Sequence, residues 1–433
     1  MPILPLPACL RTAHPLWQCG FRPFFLGASL LAGALMLAWG LFLGLGLPVL
    51  PPAALALPAG PFGWHAQGLL FGFGFAAVAG FVLVAVPEFT ATPAFAARHS
   101  RALAGCWLTG VLASGVAHPG AVLLTAGAWG GLLGGLLVLV LPRLWADPGR
   151  PQLAFAWGIA SLLVTALGHQ ADLLRGLPPQ RWLHACVGLM MILVVVALSR
   201  ISMRIVNLAI EEYHASHAVL DSGADAEDAD ALEGRHPVYL ARPPRRRLAI
   251  LAIGAFTLAE FIEPGSRVGA WLALAAGAAV LNLMGDWHVG RALLRRWPLM
   301  LYAVYGLMAA GYIAMGVSML GGLAPWLGAG RHLLTVGAFG LSIYCVICIA
   351  GRNHSGLELD ERAWVPAGAA MIVAAGVART SLAWPGLPAA WVVPLAYALP
   401  ALLWTGAYAL LAWRLGPVLW RRRADGRHGC MSV

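Results

Sequence analysis

A chain of 433 residues that is 60% hydrophobic and only 11% charged, with a mean hydropathy of +0.78, cannot clothe a water-facing surface. Soluble domains carry about 25% charged residues. The formal net charge of +10 comes from 28 arginines and no lysine. Those arginines sit in short segments between apolar runs, so the charge reads as membrane topology and excludes a nucleic-acid partner.

Apolar runs of roughly the length that crosses a bilayer core recur to the end of the chain. They are continuous and lack the period-two alternation of barrel strands, so they predict helices. In chain order the predicted spans are 23–47, 63–87, 101–118, 120–141, 152–174 and 181–200, then 247–263, 267–286, 297–320, 329–351, 364–383 and 391–416. Residues 201–210 extend the sixth span along the interface, with Ile201, Ile205 and Leu208 on one side. Residues 211–246 are the long polar interruption, acidic at Asp221, Asp225, Glu227, Asp228, Asp230 and Glu233, then basic to Arg245-Arg246-Arg247. Little apolar material and no helical stripe predict a disordered linker there.

The predicted fold class is all-α, a polytopic membrane helix bundle of about twelve transmembrane helices arranged 6+6 around a cytoplasmic linker. Residues 1–210 form the first six-helix half, 211–246 the linker, and 247–433 the second half with a basic tail. With the N-terminus inside, 23 arginines fall on inner segments and 5 on outer ones: Arg175, Arg181, Arg267, Arg331 and Arg379. The expectation is a multi-pass protein of the bacterial inner membrane, both termini cytoplasmic. The start of the chain lacks the pattern of a removable signal peptide. Seven scattered cysteines suggest no disulfide framework, and the absence of CxxCH speaks against covalent haem.

Chemistry in such a chain has to come from polar groups that are costly at membrane depth. Of thirteen histidines, His65, His118, His169, His184 and His332 fall near outer span ends, and His99, His288 and His354 near inner ones. Neutral imidazole is a common ligand for haem iron and copper. For any one histidine the bland reading, a helix cap or a headgroup contact, carries more weight; the outer set together points to metal or haem. His65 and His332 are the best pair, because each begins an outside-to-inside helix followed by glycines: Trp64-His65 with Gly68 and Gly72, Arg331-His332 with Gly337 and Gly340. These glycines are expected to leave room for a macrocycle, and Arg331 is the candidate partner for its propionates. His169 is a further candidate ligand, with Asp172 one turn away to orient it, although Asp172 also has Arg175 within reach on the same helix. His118, which precedes a proline, and His184, near the interface, are weaker candidates. Glu260 is either a paired structural acid or a proton relay, and Asp286 is expected near Arg291. Gly68, Gly72, Ala76 and Gly80 form a small-residue stripe suited to close helix approach. Cys345 and Cys348 form a CxxC best read as packing.

At these residues the sequence resembles the NnrS family of membrane proteins. Gly20-Phe21-Arg22-Pro23-Phe24-Phe25 is similar to its opening signature, and WHAQGLLFGFGFAAVAGFVLVAVP at 64–87 to its Trp-His-Ala-His-Glu-Met-Leu-Phe-Gly segment. RHLLTVGAFG at 331–340 and GRNHSG at 351–356 resemble its late helix and Gly-His-Thr-Gly-Arg element. The resemblance implies twelve membrane helices, bound haem and copper, and a role in nitric oxide or nitrosative stress metabolism during denitrification. His65, His332 and His354 carry over by position. Gln67 and Gly68 stand where the family has a second histidine and a glutamate, which marks a divergent member.

Trp64, His65, Arg331 and His332 are thus the candidate residues for a haem b, with His65 and His332 expected to ligate one iron. His65, His332, His169 and His354 are the candidate metal ligands, His354 at most as a secondary site. Three function classes remain: a haem-binding and copper-binding protein acting on a small gaseous or metal-nitrosyl ligand, with a haem-dependent oxidoreductase as its enzymatic form; a secondary transporter of a small solute; and a cofactor-binding sensor or assembly factor without turnover. Bound haem separates the first from the second, and gas consumption separates the first from the third. Oligomeric state is not legible in the sequence.

Overall fold

The computed structural model describes residues 14–50, 60–221, 238–427 and 429–430. Among these residues there are helices and turns and no strand. Twelve long helices follow the predicted spans in order: α1 (Phe21–Leu45), α2 (Gly60–Phe89), α3 (Ala97–Ala113), α4 (Pro119–Ala146), α5 (Ala154–Leu174) and α6 (Gln180–Asp221), then α7 (Pro243–Ile262), α8 (Arg267–Met284), α9 (Arg296–Gly321), α10 (Ala324–Asn353), α11 (Trp364–Ala383) and α12 (Ala389–Trp420). Ten are long and apolar enough to cross a membrane. The other two are α3, of 17 residues, and α7, which has 20 residues but opens on Arg245-Arg246-Arg247.

The polar interruption departs from expectation at both ends. The helix α6 runs on to Asp221 and α7 already begins at Pro243, so 211–221 and 243–246 are helical and not disordered. Glu211, Glu212 and Ala215 favour helix on their own account, and hydropathy does not register that preference. The central part of the predicted linker, 222–237, lies outside the described residues. Just beyond it Tyr239 docks on α6. Its backbone N–H donates to Asn207 Oδ1 at 2.8 Å, and its carbonyl accepts from Asn207 Nδ2 at 3.2 Å. Its hydroxyl lies 3.2 Å from Ser202 Oγ.

Packing divides the chain into two compact units, Met1–Leu189 with Ile343–Val433, and Met190–Ser342. The grouping follows packing rather than position along the chain. In the first unit α1 packs on α12 through small residues, and a Cβ at Gly40 would stand 2.6 Å from that of Ala401. Lipid supplies no hydrophobic drive between helices, so van der Waals contact at such close approach has to hold them. In the second unit α9 and α10 meet backbone to backbone: a Cβ at Gly330 would lie 2.6 Å from the Gly311 carbonyl oxygen.

Buried acids find different partners from those expected. Asp286 receives Arg245 at 2.9 Å, the Arg242 backbone N–H at 3.0 Å and the Arg242 guanidinium at 3.6 Å, in place of Arg291. Asp172 pairs with Arg181 at 3.0 Å and accepts from the Trp182 indole at 2.7 Å, in place of Arg175. Both partners lie across a turn in the chain, beyond the reach of an i, i+3 rule. The cysteines also differ from expectation. Cys19 and Cys430 are joined in a disulfide, while Cys106, Cys186, Cys345 and Cys348 are free.

Candidate cofactor site

Of the ten candidate spans, α2 and α10 are the most deeply buried; 83% of the most apolar stretch of each is covered by protein. Each changes to the wider π-helical winding just after its histidine. The π segment of α2 is Gly68–Phe73, three residues past His65, and that of α10 is Leu333–Phe339, directly after His332. Glycines at 68, 72 and 337 weaken the ordinary helix there. A π turn inserts an extra residue into the hydrogen-bond ladder, so displaced carbonyls call for other donors. The Trp107 indole N–H donates to the Gly72 carbonyl at 2.8 Å, and the Thr335 hydroxyl donates to the Arg331 carbonyl at 2.9 Å. Such segments are rare and gather at functional sites. A third, Val393–Ala398 in α12, has a local cause in Pro394, which lacks an N–H.

His65 stacks on Trp39 of α1, ring centroids 4.4 Å apart and planes at 15°. Trp64 is half-buried, with its indole against the Gly115 backbone. Gln67 is buried at the end of the first α-helical stretch of α2.

In the second unit His332 Nδ1 lies 2.7 Å from the Gly328 carbonyl. A carbonyl only accepts, so Nδ1 carries the hydrogen, and in the neutral ring the coordinating lone pair belongs to Nε2. Arg331 donates to Glu260 Oε1 at 2.7 Å, and Glu260 Oε2 accepts the Gly265 N–H at 3.0 Å. Glu260 is therefore a paired structural acid, and the guanidinium expected to meet propionates is engaged with it.

His169 is 1% exposed and sits edge-on to Phe71 in the π segment of α2, centroids 5.2 Å apart. Its Nδ1 meets the Gln170 side-chain amide at 3.3 Å, and Nε2 is buried without a hydrogen-bond partner. The orienting role expected of Asp172 falls to Gln170. A buried polar atom left over in this way asks for a ligand or a water. His118 accepts from the Gly120 N–H at 3.0 Å and caps α4, as its bland reading expects.

The expected macrocycle room is filled. A Cβ at Gly68 would meet Leu35 at 3.1 Å, one at Gly72 would meet Leu31 at 3.0 Å, and one at Gly337 would meet Leu307 at 3.2 Å. The covering groups are leucine side chains, and the stripe of α2 serves helix packing against α1. Among the described residues no three His, Cys, Asp or Glu side chains gather as a metal-ion site. Single imidazoles of this kind are a donor type suited to holding a haem iron.

Sequence reading missed a polar knot at the far end of the first unit. Arg22 is fully buried and donates to the Pro15 carbonyl at 3.2 Å, the Arg421 carbonyl at 2.5 Å and Ser355 Oγ at 3.5 Å. Arg423 donates to the His354 carbonyl at 3.0 Å and pairs with Asp425. His354 directs Nδ1 to the Cys430 carbonyl at 2.8 Å, while Nε2 lies 3.4 Å from Glu88 Oε2. Both ring nitrogens of His354 thus meet protein groups. The knot joins the Gly20–Phe25 and Gly351–Gly356 motifs, each of which carried a polar residue at a span end. That was the available signal; their meeting was not legible.

The family model described as NnrS protein matches residues 15–423. The chain belongs to the NnrS family. The match takes in all three π-wound helices and the knot as far as Arg423, and with the ten apolar helices it makes this NnrS member a multi-pass membrane protein. Among the curated proteins none matches the chain.

Proposed function

We propose that this NnrS-family protein binds haem b within the bacterial inner membrane and acts on nitric oxide or its metal complexes, in nitrosative stress metabolism associated with denitrification. The observation that carries the reading is the pair of π segments, each beginning within three residues of a histidine in the two most buried spans. Family membership supports the same class of function.

His65 in the first unit and His332 in the second, both half-buried, are each candidate iron ligands, and His169 supplies a fully buried imidazole in the first unit. The Gly328 carbonyl fixes the His332 ring with Nε2 as the ligand atom, while Trp39 fixes the plane of the His65 ring. Haem, when bound, supplies an iron that binds nitric oxide. Glu260 neutralises Arg331 beside His332. Copper is left out of the proposal, because Gln67 and Gly68 offer neither imidazole nor carboxylate. The arginine bias of 23 to 5 supports cytoplasmic termini.

Titration of the purified, dithionite-reduced protein with nitric oxide tests the reading. The expected result is a shift of the Soret band complete near one equivalent of gas. A protein carrying haem whose bands ignore nitric oxide would overturn the assigned ligand and favour a different cargo.

A further inference from the structure

The Cys19–Cys430 bond fastens the tail after α12 to the segment before α1, across 411 residues, with Cα atoms 5.3 Å apart. Apart from this bond, the tail is held largely through its backbone. The Arg421 carbonyl receives Arg22 and the Cys430 carbonyl receives His354, while the Arg423 side chain donates to the His354 carbonyl. The Ala424 N–H donates to the Ser355 carbonyl at 3.1 Å. The sulfurs thus form the covalent element of a cover laid over the buried Arg22 and His354 side chains. Glu88 faces the same histidine from α2.

The arginine bias places this end in the cytoplasm, where thiols are kept reduced and the disulfides that occur are transient or redox-sensing. We propose that Cys19 and Cys430 form a reversible dithiol–disulfide site that latches the C-terminal tail over the Arg22–His354 knot and is opened by a cytoplasmic dithiol. Cys19 is 1% exposed and Cys430 only half-buried, so the incoming thiolate attacks Cys430 Sγ. The Cys19–Cys430 bond breaks, a mixed disulfide forms on Cys430, and Cys19 leaves as a thiolate that takes up a proton. The donor's second thiol then attacks its own sulfur in the mixed disulfide and releases the Cys430 thiol. Two electrons and two protons pass from the donor to the cysteine pair, and the donor leaves as a disulfide. Once open, the tail rests on hydrogen bonds alone and joins the readily opening parts of the molecule. The inference rests on the orientation read from the arginines and is independent of haem.

The test uses the full chain in inverted membrane vesicles, treated with a membrane-impermeant phosphine reductant and then a maleimide mass tag. Reduction is expected to expose Cys19 and Cys430 to the tag. It should also speed tryptic cleavage after Arg422 and Arg427 by about tenfold, because proteolysis tracks the open population. Cys430→Ser and Cys19→Ser should show the fast cleavage without reductant, and reoxidation of wild type with an oxidised dithiol should restore protection. The wild-type arm stands even if a variant fails to fold. Tagging that appears only in right-side-out vesicles overturns the proposal, as does cleavage that reduction leaves unchanged, or a pair that does not close again.

Discussion

In α2 the histidine is held by a neighbour, Trp39 stacked on His65 at 4.4 Å, whereas in α10 it is held by its own helix, through the Gly328 carbonyl 2.7 Å from His332 Nδ1. The adjoining π segments differ in the same way. The displaced carbonyl of α2 is met from another helix by Trp107, and that of α10 from within by Thr335. One histidine therefore depends on the tertiary packing of the first unit. The other depends on a short stretch of backbone, with the Arg331–Glu260 pair beside it. Two helices of the same length and burial reach a similar local geometry by unrelated means, so substitutions should separate them.

The largest separation is expected at Glu260. Replacing Glu260 with Gln leaves Arg331 three-quarters buried with no counter-charge. Removing one partner of a buried pair costs about 3 kcal/mol. Thermal unfolding in detergent should show the loss, and a variant as stable as wild type would mean that α10 does not lean on the pair. Trp107→Phe comes next, since it keeps the ring and removes the donor to the Gly72 carbonyl. A cost of about 1 kcal/mol is expected, with the His65 environment perturbed and the His332 environment untouched, as read by NMR of labelled histidines. Thr335→Val removes the corresponding donor in α10 at a cost of about 0.6 kcal/mol. If its effect exceeded that of Trp107→Phe, the contrast between the two helices would be reversed.

The smallest effect is expected in the turn between α10 and α11. There Asp360 binds Arg362, Arg352 and the Trp364 indole. Hydrogen bonds from Arg362 hold its carboxyl well below the usual range, against the opposing effect of burial. A depressed carboxylate contributes stability above its unfolded value, near 3.9, and that stability is lost as pH falls through the folded value. The melting temperature of Asp360→Asn should thus trail wild type by a small, constant margin from neutral pH down to about pH 5, with the gap closing in stronger acid. A gap that widens in acid would contradict this sign. The effect is modest because Arg362 is largely exposed.

What could be read from the sequence depends on the range of each interaction. All twelve helices were legible, because apolar length is a local property that the bilayer enforces. The extension of α6 to Asp221 was not, because hydropathy ignores the helix preference of polar residues. The glycines after His65 and His332 mark where the winding changes, but the space they suggest for a macrocycle is occupied by Leu31, Leu35 and Leu307. His65, His169 and His332 stand out because imidazole is conspicuous in an apolar run. Arg22 does not, although it is the most deeply buried arginine among the described residues, since its acceptors lie up to 399 residues away. The Cys19–Cys430 pairing is hidden for the same reason.

The central claim, that the protein binds haem and that His65 and His332 are each ligands for it, is tested most directly by the absorption spectrum of the detergent-purified protein expressed with ample haem supply. The account predicts a Soret band whose pigment extracts into acidified organic solvent, as non-covalent haem b does. His332→Ala or His65→Ala should remove or strongly shift the band in a folded protein, and His118→Ala should leave it intact. A wild-type protein that purifies folded and colourless would contradict the account and return the transporter reading.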